Sequence, residues 1–589
     1  MTAIGPPMPR TGADARPWPA RHDHRVTTVT DADAPTGVRA LADDYVRRLA
    51  DLDTRVATTL GTHPGDDRVP DLSPDGQSAA DELARGVLAA LPSAVVADDD
   101  DRRCARLLRE RLEAQLAVSE TGEHLRALRN IFGPHQQVRQ LFDLMPTETS
   151  DDWAVVARRM AKLPQAYSGY VASLTEGSRR GLHAAPRQVE TVVGQLDAWL
   201  TDAGGSWFQA FVTKAPDVTG PSVRDALDDA AGAATAAAAE LRDFLAREYL
   251  PAAQGTPDGV GAERYRVGAR LSTGSDLDLA EAYAWGWDEF RRLDAEMRRE
   301  AEAVLAGAGP VMAMRHLDEN GAAVDGVEEV RAWLQQMMDT AMDELDGGHF
   351  DIAAPVRTVQ AMIAPSGSAA APYYTRPSLD FSRPGRTWLP TLGQHRFPLW
   401  GLISTWYHEG VPGHHLQLAQ WTHLADRLST YQTSIGSVSG NTEGWALYSE
   451  RLMDELGYLT PPGARLGYLD AQQMRAIRVV IDIGMHLGLQ VPADSPLLAG
   501  ATWTPEVARE FFGAHSGRPG PFLDSEIVRY LGWPGQAISY KLGERAWLAG
   551  RDAAMTARGA DFDLKAWHAA ALSLGSLGLD DLTAELARL

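Results

Sequence analysis

Apolar residues recurring every three or four positions, segment after segment, constrain this chain more than any other feature of its sequence. From about Val38, VRALADDYVRRLADLDTRVATTLG sets Leu41, Tyr45, Leu49 and Leu52 at helical spacing. The same periodicity predicts helices over 79–91, 101–118, 136–145, 151–174, 186–202, 222–248, 276–306 and 326–345. It continues over 398–424, 440–456, 464–489, 504–512, 523–530, 534–557 and 578–588. The 222–248 segment is rich in alanine, the strongest helix former. Strand-like sequence is scarce. VRTVQAMIAP (356–365) is β-branched and is followed by Gly and Pro, and the polar run from Ala364 to Pro398 predicts a loop or short hairpin crossing a cleft. The expected fold is mostly α with a small β element in its second half. Residues 1–35, proline-bearing and without hydrophobic period, predict a disordered leader in which His22 and His24 are solvated. One helical domain is expected over 36–589, with lobes near 36–350 and 351–589 if it divides.

Composition narrows the partners. The 589 residues hold 56 Lys+Arg against 79 Asp+Glu, a formal charge of −23. So acidic a surface argues against a nucleic-acid backbone or an anionic membrane. The single cysteine, Cys104, excludes an intrachain disulfide, a zinc ribbon and an iron–sulfur cluster. Its setting, DDRRCARLLRERL, is helical, and it reads as a packing residue. No stretch of 18 apolar residues and no apolar signal core is present, so the expected location is the cytoplasm.

Chemistry concentrates in WYHEGVPGHHLQLAQ (406–420). A zinc peptidase of the H-E-x-x-H type places two imidazoles one helical turn apart, with the glutamate beside them as general base. Here His408 and Glu409 are adjacent, but the fourth residue after His408 is Pro412, so the literal motif fails. Pro412 cannot donate to the carbonyl of residue 408, and Gly413 is a poor helix former, so the helix is expected to bulge. In a regular helix His415 would lie about 10.5 Å along the axis from His408, too far to share an ion. Looping out two residues makes His414 the second ligand; looping out three makes it His415. Three histidines and a glutamate also fit an ordinary polar helix end.

Downstream, GNTEGWALYSERLM (440–453) sets Glu443 and Glu450 on one helix face, with Asn441 or Thr442 as cap. Two His and one carboxylate from a second helix form a common mononuclear zinc set, and Glu443 is the expected third ligand. MRAIRVVIDIGMHLGL (474–489) aligns Arg475, Arg478, Asp482 and His486 as one polar stripe, an ion-pair ladder or a functional one. EIVRYLGWPGQAISYKLG (526–543) gathers Arg529, Tyr530, Tyr540 and Lys541 around a Trp-Pro-Gly turn. Tyr373 and Tyr374 in the cleft-crossing run are candidate substrate contacts. No G-x-S-x-G elbow, P-loop or dinucleotide fingerprint occurs.

HEGVPGHHLQ, EGWALYSERL, RAIRVVIDIGMH and RYLGWPGQAISYKLG resemble, in that order, the motifs of a bacterial family catalogued as domain of unknown function 885, with a likeness spanning about 38–589. That family resembles a branch of the gluzincin metallopeptidases, distantly similar to thimet oligopeptidase and neurolysin. The resemblance implies a mostly helical fold around a deep channel, a zinc ion and a peptidase-like site. Against the thimet-type H-E-x-G-H, the sequence His-Glu-Gly-Val-Pro-Gly-His carries two extra residues, which supports His414.

The resulting expectation is a zinc-dependent hydrolase of amide bonds in short peptides, with one Zn²⁺ held by His408, His414 and Glu443. Glu409 serves as base, Tyr540 or His486 as oxyanion donor, and Arg529 or Lys541 as clamp for a substrate carboxylate. Tyr530, Tyr373 and Tyr374 complete the substrate contacts. The donor set also suits Mn²⁺, Fe²⁺ or Co²⁺. The alternatives are a metal-dependent amidase or tailoring enzyme on a non-peptide substrate, and a catalytically silent binding protein.

Overall fold

Several helices begin where a side chain takes up the first free backbone N–H groups. Asp98 accepts from Asp101 N at 2.8 Å to start Asp99–Glu120, and Ser73 caps Pro74–Ala90 with proline in the first turn. The stripe read from the sequence is buried only in its first half: Leu41 and Tyr45 of Val38–Leu52 face inward, Leu49 is half-buried and Leu52 is exposed. The computed structural model describes residues 36–201, 205–216, 219–364 and 371–589. The expected leader, with His22 and His24, lies outside the described residues.

The fold is mostly helical. Among the described residues five short strands interrupt it: β1 (Ala323–Asp325), β2 (Val359–Ile363), β3 (Tyr373–Thr375), β4 (Gly385–Leu389) and β5 (Arg396–Pro398). β1 pairs antiparallel with β5, while β4 lies between a parallel β2 and an antiparallel β3. Within the 364–398 run, β3 and β4 form a short antiparallel hairpin, and Tyr374 of β3 reaches His415. Gln335, from helix Val327–Leu345, closes the outer edge of β2: its amide donates to Val359 O and accepts from Ala361 N.

The apolar core divides elsewhere than near residue 350. Residues 128–253 build one core; the helices of 38–116 join everything from Tyr265 onward in the other. Helices Gly261–Thr273, Pro310–Asn320 and Leu564–Leu572 were not legible in the periodicity. Cys104 packs as expected, 3.4 Å from Ser429 Oγ, with burial pushing its thiol up to about 12. Two long helices, Ser439–Glu455 and Ser539–Arg558, touch backbone to backbone: a Cβ on Gly444 would run into Gly543. Among the described residues no helix is long and apolar enough to cross a membrane.

Candidate metal centre

The expected 398–424 helix is two helices. Leu399–Glu409 buries Ile403, Trp406 and Tyr407, and the Trp406 indole donates to Leu334 O at 3.1 Å. It stops at Glu409 because Pro412 has no N–H to continue the ladder. Residues 410–413 form a tight turn in which Gly413 N donates to Tyr407 O and His415 N to Gly410 O. Only glycine fits at 413: a Cβ would collide with the carbonyl oxygens of His408 and Tyr407. The Trp445 indole takes up the carbonyls of Pro412 and Gly413 at 2.9 and 3.0 Å. The chain then resumes as helix His414–His423.

The two extra residues bring His414, not His415, beside His408. Their ring centroids are 4.8 Å apart at 84°. Glu443, on Ser439–Glu455, faces both: its Oε2 lies 3.3 Å from His408 Nε2 and 3.6 Å from His414 Nε2. That oxygen is buried and has no hydrogen-bond partner. Bonds of about 2.0–2.1 Å to a tetrahedral zinc put donor atoms roughly 3.3–3.4 Å apart, so the two imidazoles and the carboxylate fit a zinc ion. Potential donor atoms of His408, Glu409 and His414 also lie within 4.8 Å of one another. Burial opposes charge on Glu443, but the two imidazoles hold its carboxyl far below the usual range. Burial pushes Glu409 the other way, upward, with His414 and His408 only partly offsetting it.

A supporting layer fixes the first. His408 Nδ1 lies 2.8 Å from Glu450 Oε1, which leaves Nε2 pointing at Glu443. Glu450 in turn accepts from Ser404 Oγ at 2.5 Å, and Arg475 stands 3.8 Å away. Burial disfavours a charged His408, yet Glu443, Glu450 and Glu409 bring it to about 9 without a metal. Glu450 escaped the sequence reading as a partner of His408, although its position two turns after Glu443 was a signal. Asn441 and Thr442 do not cap the helix, which starts at Ser439. Asn441 instead accepts from Gln417 at 3.0 Å and donates to Leu577 O.

The remaining expected residues separate into two groups. Tyr540 stays with the site: burial first, then the charge of Glu443, raises its phenol, so it remains a donor. Tyr374 reaches the site's edge by pairing its hydroxyl with His415 Nδ1 at 2.9 Å, while Tyr373 stacks on Trp388 at 5.8 Å. His415 is fully buried with its other nitrogen 2.7 Å from Val356 O, so both ring nitrogens are occupied and it offers none to an ion.

Four expectations are corrected. His486 meets Tyr530 O at 3.0 Å and accepts from Val260 N at 3.3 Å, and it sits about 16 Å along its helix from Arg475, so it cannot serve an oxyanion at Glu443. Arg529 grips Glu526 with two donors at 2.9 Å. Tyr530 is buried and donates to the same carboxylate at 2.6 Å. Lys541 is wholly buried between Glu289, Glu544 and Gln472. Neither cation is available to clamp a substrate, and Tyr530 is not a substrate contact.

A helical body with a His–Glu–His–Glu cluster at a broken helix is thus the class of protein that fold and site define. The chain belongs to the family of bacterial proteins of unknown function DUF885, whose profile matches residues 55–586. A solved structure of a candidate lipoprotein from Colwellia psychrerythraea superposes with a TM-score of 0.80 at 21% identity, covering 94% of this chain and 98% of that one. A candidate lipoprotein of unknown function from Shewanella oneidensis gives 0.70 at 16%, covering 93% and 99%. These likenesses show the fold. No curated protein matches the sequence.

Proposed function

We propose that this protein is a zinc-dependent hydrolase of amide bonds in short peptides, with a gluzincin-like site. The observation that carries the reading is the buried, unbonded Oε2 of Glu443 facing two imidazole Nε2 atoms at 3.3 and 3.6 Å. A bound zinc would supply Lewis acidity and lower the pKa of water from 15.7 to about 7. His408, His414 and Glu443 would hold the ion. Glu409, displaced from the ligand set but within reach, accepts the proton of the attacking water and returns it to the leaving amine. Tyr540, protonated, donates to the developing oxyanion. Glu450 orients His408 so that its Nε2 faces Glu443, where it would be free to bind the ion.

The test is a peptide-mixture digest read by mass spectrometry, using protein as purified, chelated, and reloaded with zinc. Cleavage that disappears on chelation and returns with zinc supports the reading. A metal-loaded protein that cuts no peptide but hydrolyses small amides points to the tailoring-enzyme alternative. A protein that takes up no metal contradicts both. Cytoplasmic placement belongs to the same proposal; fractionation of cells tests it, with the membrane fraction as the contrasting outcome because the two similar structures are described as candidate lipoproteins.

A further inference from the structure

A cavity of about 300 Å³ separates the N-terminal helices from the half that carries the metal cluster. Tyr45, Tyr431, Ile435 and Trp533 form part of its wall, and Ser439 and Gln536 are among its polar lining residues. Ser439 opens the helix of Glu443 and precedes it by four residues, so the two share a helix face, about 6 Å apart along the axis. Ser439 Oγ is 3.0 Å from Ser539 Oγ, and Ser539 immediately precedes Tyr540. The cavity therefore comes within about one helical turn of Glu443, through Ser439, and is linked by the Ser439–Ser539 pair to the residue before Tyr540.

We propose that this cavity receives an uncharged apolar or aromatic side chain of the substrate, adjacent to the amide that is cut. This deepens the hydrolase reading and rests on it. The walls supply the chemistry. Tyr45 and Tyr431 are buried and meet edge to face at 5.7 Å, and the Trp533 ring is fixed by Arg129 at 5.1 Å and Phe132 at 5.8 Å. The one charged lining residue, Arg111, commits its guanidinium to Glu110 and to the carbonyls of Arg270 and Leu271. Gln536 Oε1 already accepts from Arg529. A charged substrate group entering here would lose its water and find no counter-ion, whereas a ring or branched aliphatic chain loses nothing. The volume is at the lower end of small-molecule pockets, roughly 300–1,000 Å³, enough for one large side chain.

The experiment uses the full zinc-loaded chain and matched peptides that differ at one position, carrying Phe, Leu, Ala, Asp or Lys. Phe or Leu is expected to exceed Ala in kcat/KM by roughly 10- to 100-fold, with Asp and Lys below Ala. Ile435→Trp, which fills the space, is expected to bring the Phe-to-Ala ratio close to one. Calorimetry of the wild type with N-acetylphenylalaninamide and N-acetylaspartic acid amide gives a readout independent of both turnover and the variant's folding. The aromatic amide is expected to bind at least tenfold more tightly. An active enzyme with a flat series at every position overturns the pocket and leaves the hydrolase standing. Tight, selective binding of the aromatic amide without any peptide cleavage supports the pocket and removes the hydrolase. Equal binding of the two amides overturns the pocket in either case.

Discussion

The helix Ala464–Leu487 presents Arg475 to one buried charged cluster and Arg478, one turn on, to another. In the second cluster Glu526 accepts from Arg478 at 2.8 Å, Arg529 at 2.9 Å and Tyr530 at 2.6 Å. Beyond it, Lys541 is shared by Glu289 and Glu544. None of the buried polar atoms of these residues lacks a hydrogen-bond partner. In the first cluster, His408, His414 and Glu443 converge, and Glu443 Oε2 and His414 Nδ1 have none. Both clusters are ionic and buried. Charges that satisfy one another hold helices together; donor atoms that converge without satisfying one another mark a ligand's place.

Glu409, proposed as the base and outside the ligand set, is where the two clusters should differ most. Glu409→Gln is expected to lower turnover by roughly 10²–10⁴-fold while metal content, read by atomic emission, stays at the wild-type level. Next in size is the closed cluster. Arg529→Met leaves Glu526 short of one of its two arginines, and chemical denaturation is expected to show a loss of about 3–5 kcal/mol with metal content unchanged. Peptides with a free C-terminal acid and their amides should be cut at the same rate by wild type, because Arg529 and Lys541 are already engaged. Glu450→Gln tests the supporting layer: a roughly 10- to 100-fold weaker zinc affinity is expected, measured by competition with a chelator.

The smallest effect is a slope. Burial alone would raise Glu289, but Lys541 and Arg292 hold it down at about 2. A depressed carboxyl contributes its stability above the unfolded value, near 4.3, and loses it as pH falls toward 2. Thermal melts between pH 5 and pH 2 are expected to show a falling midpoint, and Lys541→Met should flatten that fall. A midpoint independent of pH over that range would remove the closed cluster's electrostatic role.

The His408, Glu409, His414 and Glu443 cluster was legible because metal-ligand chemistry admits few residue types at few spacings, and Pro412 announced where the helix would break. What decided between His414 and His415 was the turn itself: Gly413 pressed against His408 O, and Trp445 holding two freed carbonyls. The closed cluster misled for the opposite reason. A sequence shows that Arg529 and Lys541 lie in apolar helices, but not that Glu289, on Leu279–Val304 some 250 residues earlier, comes to Lys541. His486 looked chemical for want of its partners, which are the backbone groups of Tyr530 and Val260. The core division was equally hidden, since residues 128–253 bury their own apolar surface and share the helical period of everything else.

Whether His408, His414 and Glu443 hold a zinc ion is decided by the zinc stoichiometry of Glu443→Gln beside the wild type. About one zinc per wild-type chain is expected, and less than about a tenth of that in the variant, because removing the carboxylate charge leaves two imidazoles to hold the ion alone. His415→Gln, altered at a ring the fold itself uses, should keep its zinc. Full occupancy in Glu443→Gln, or loss in His415→Gln with retention in His414→Gln, would contradict the account.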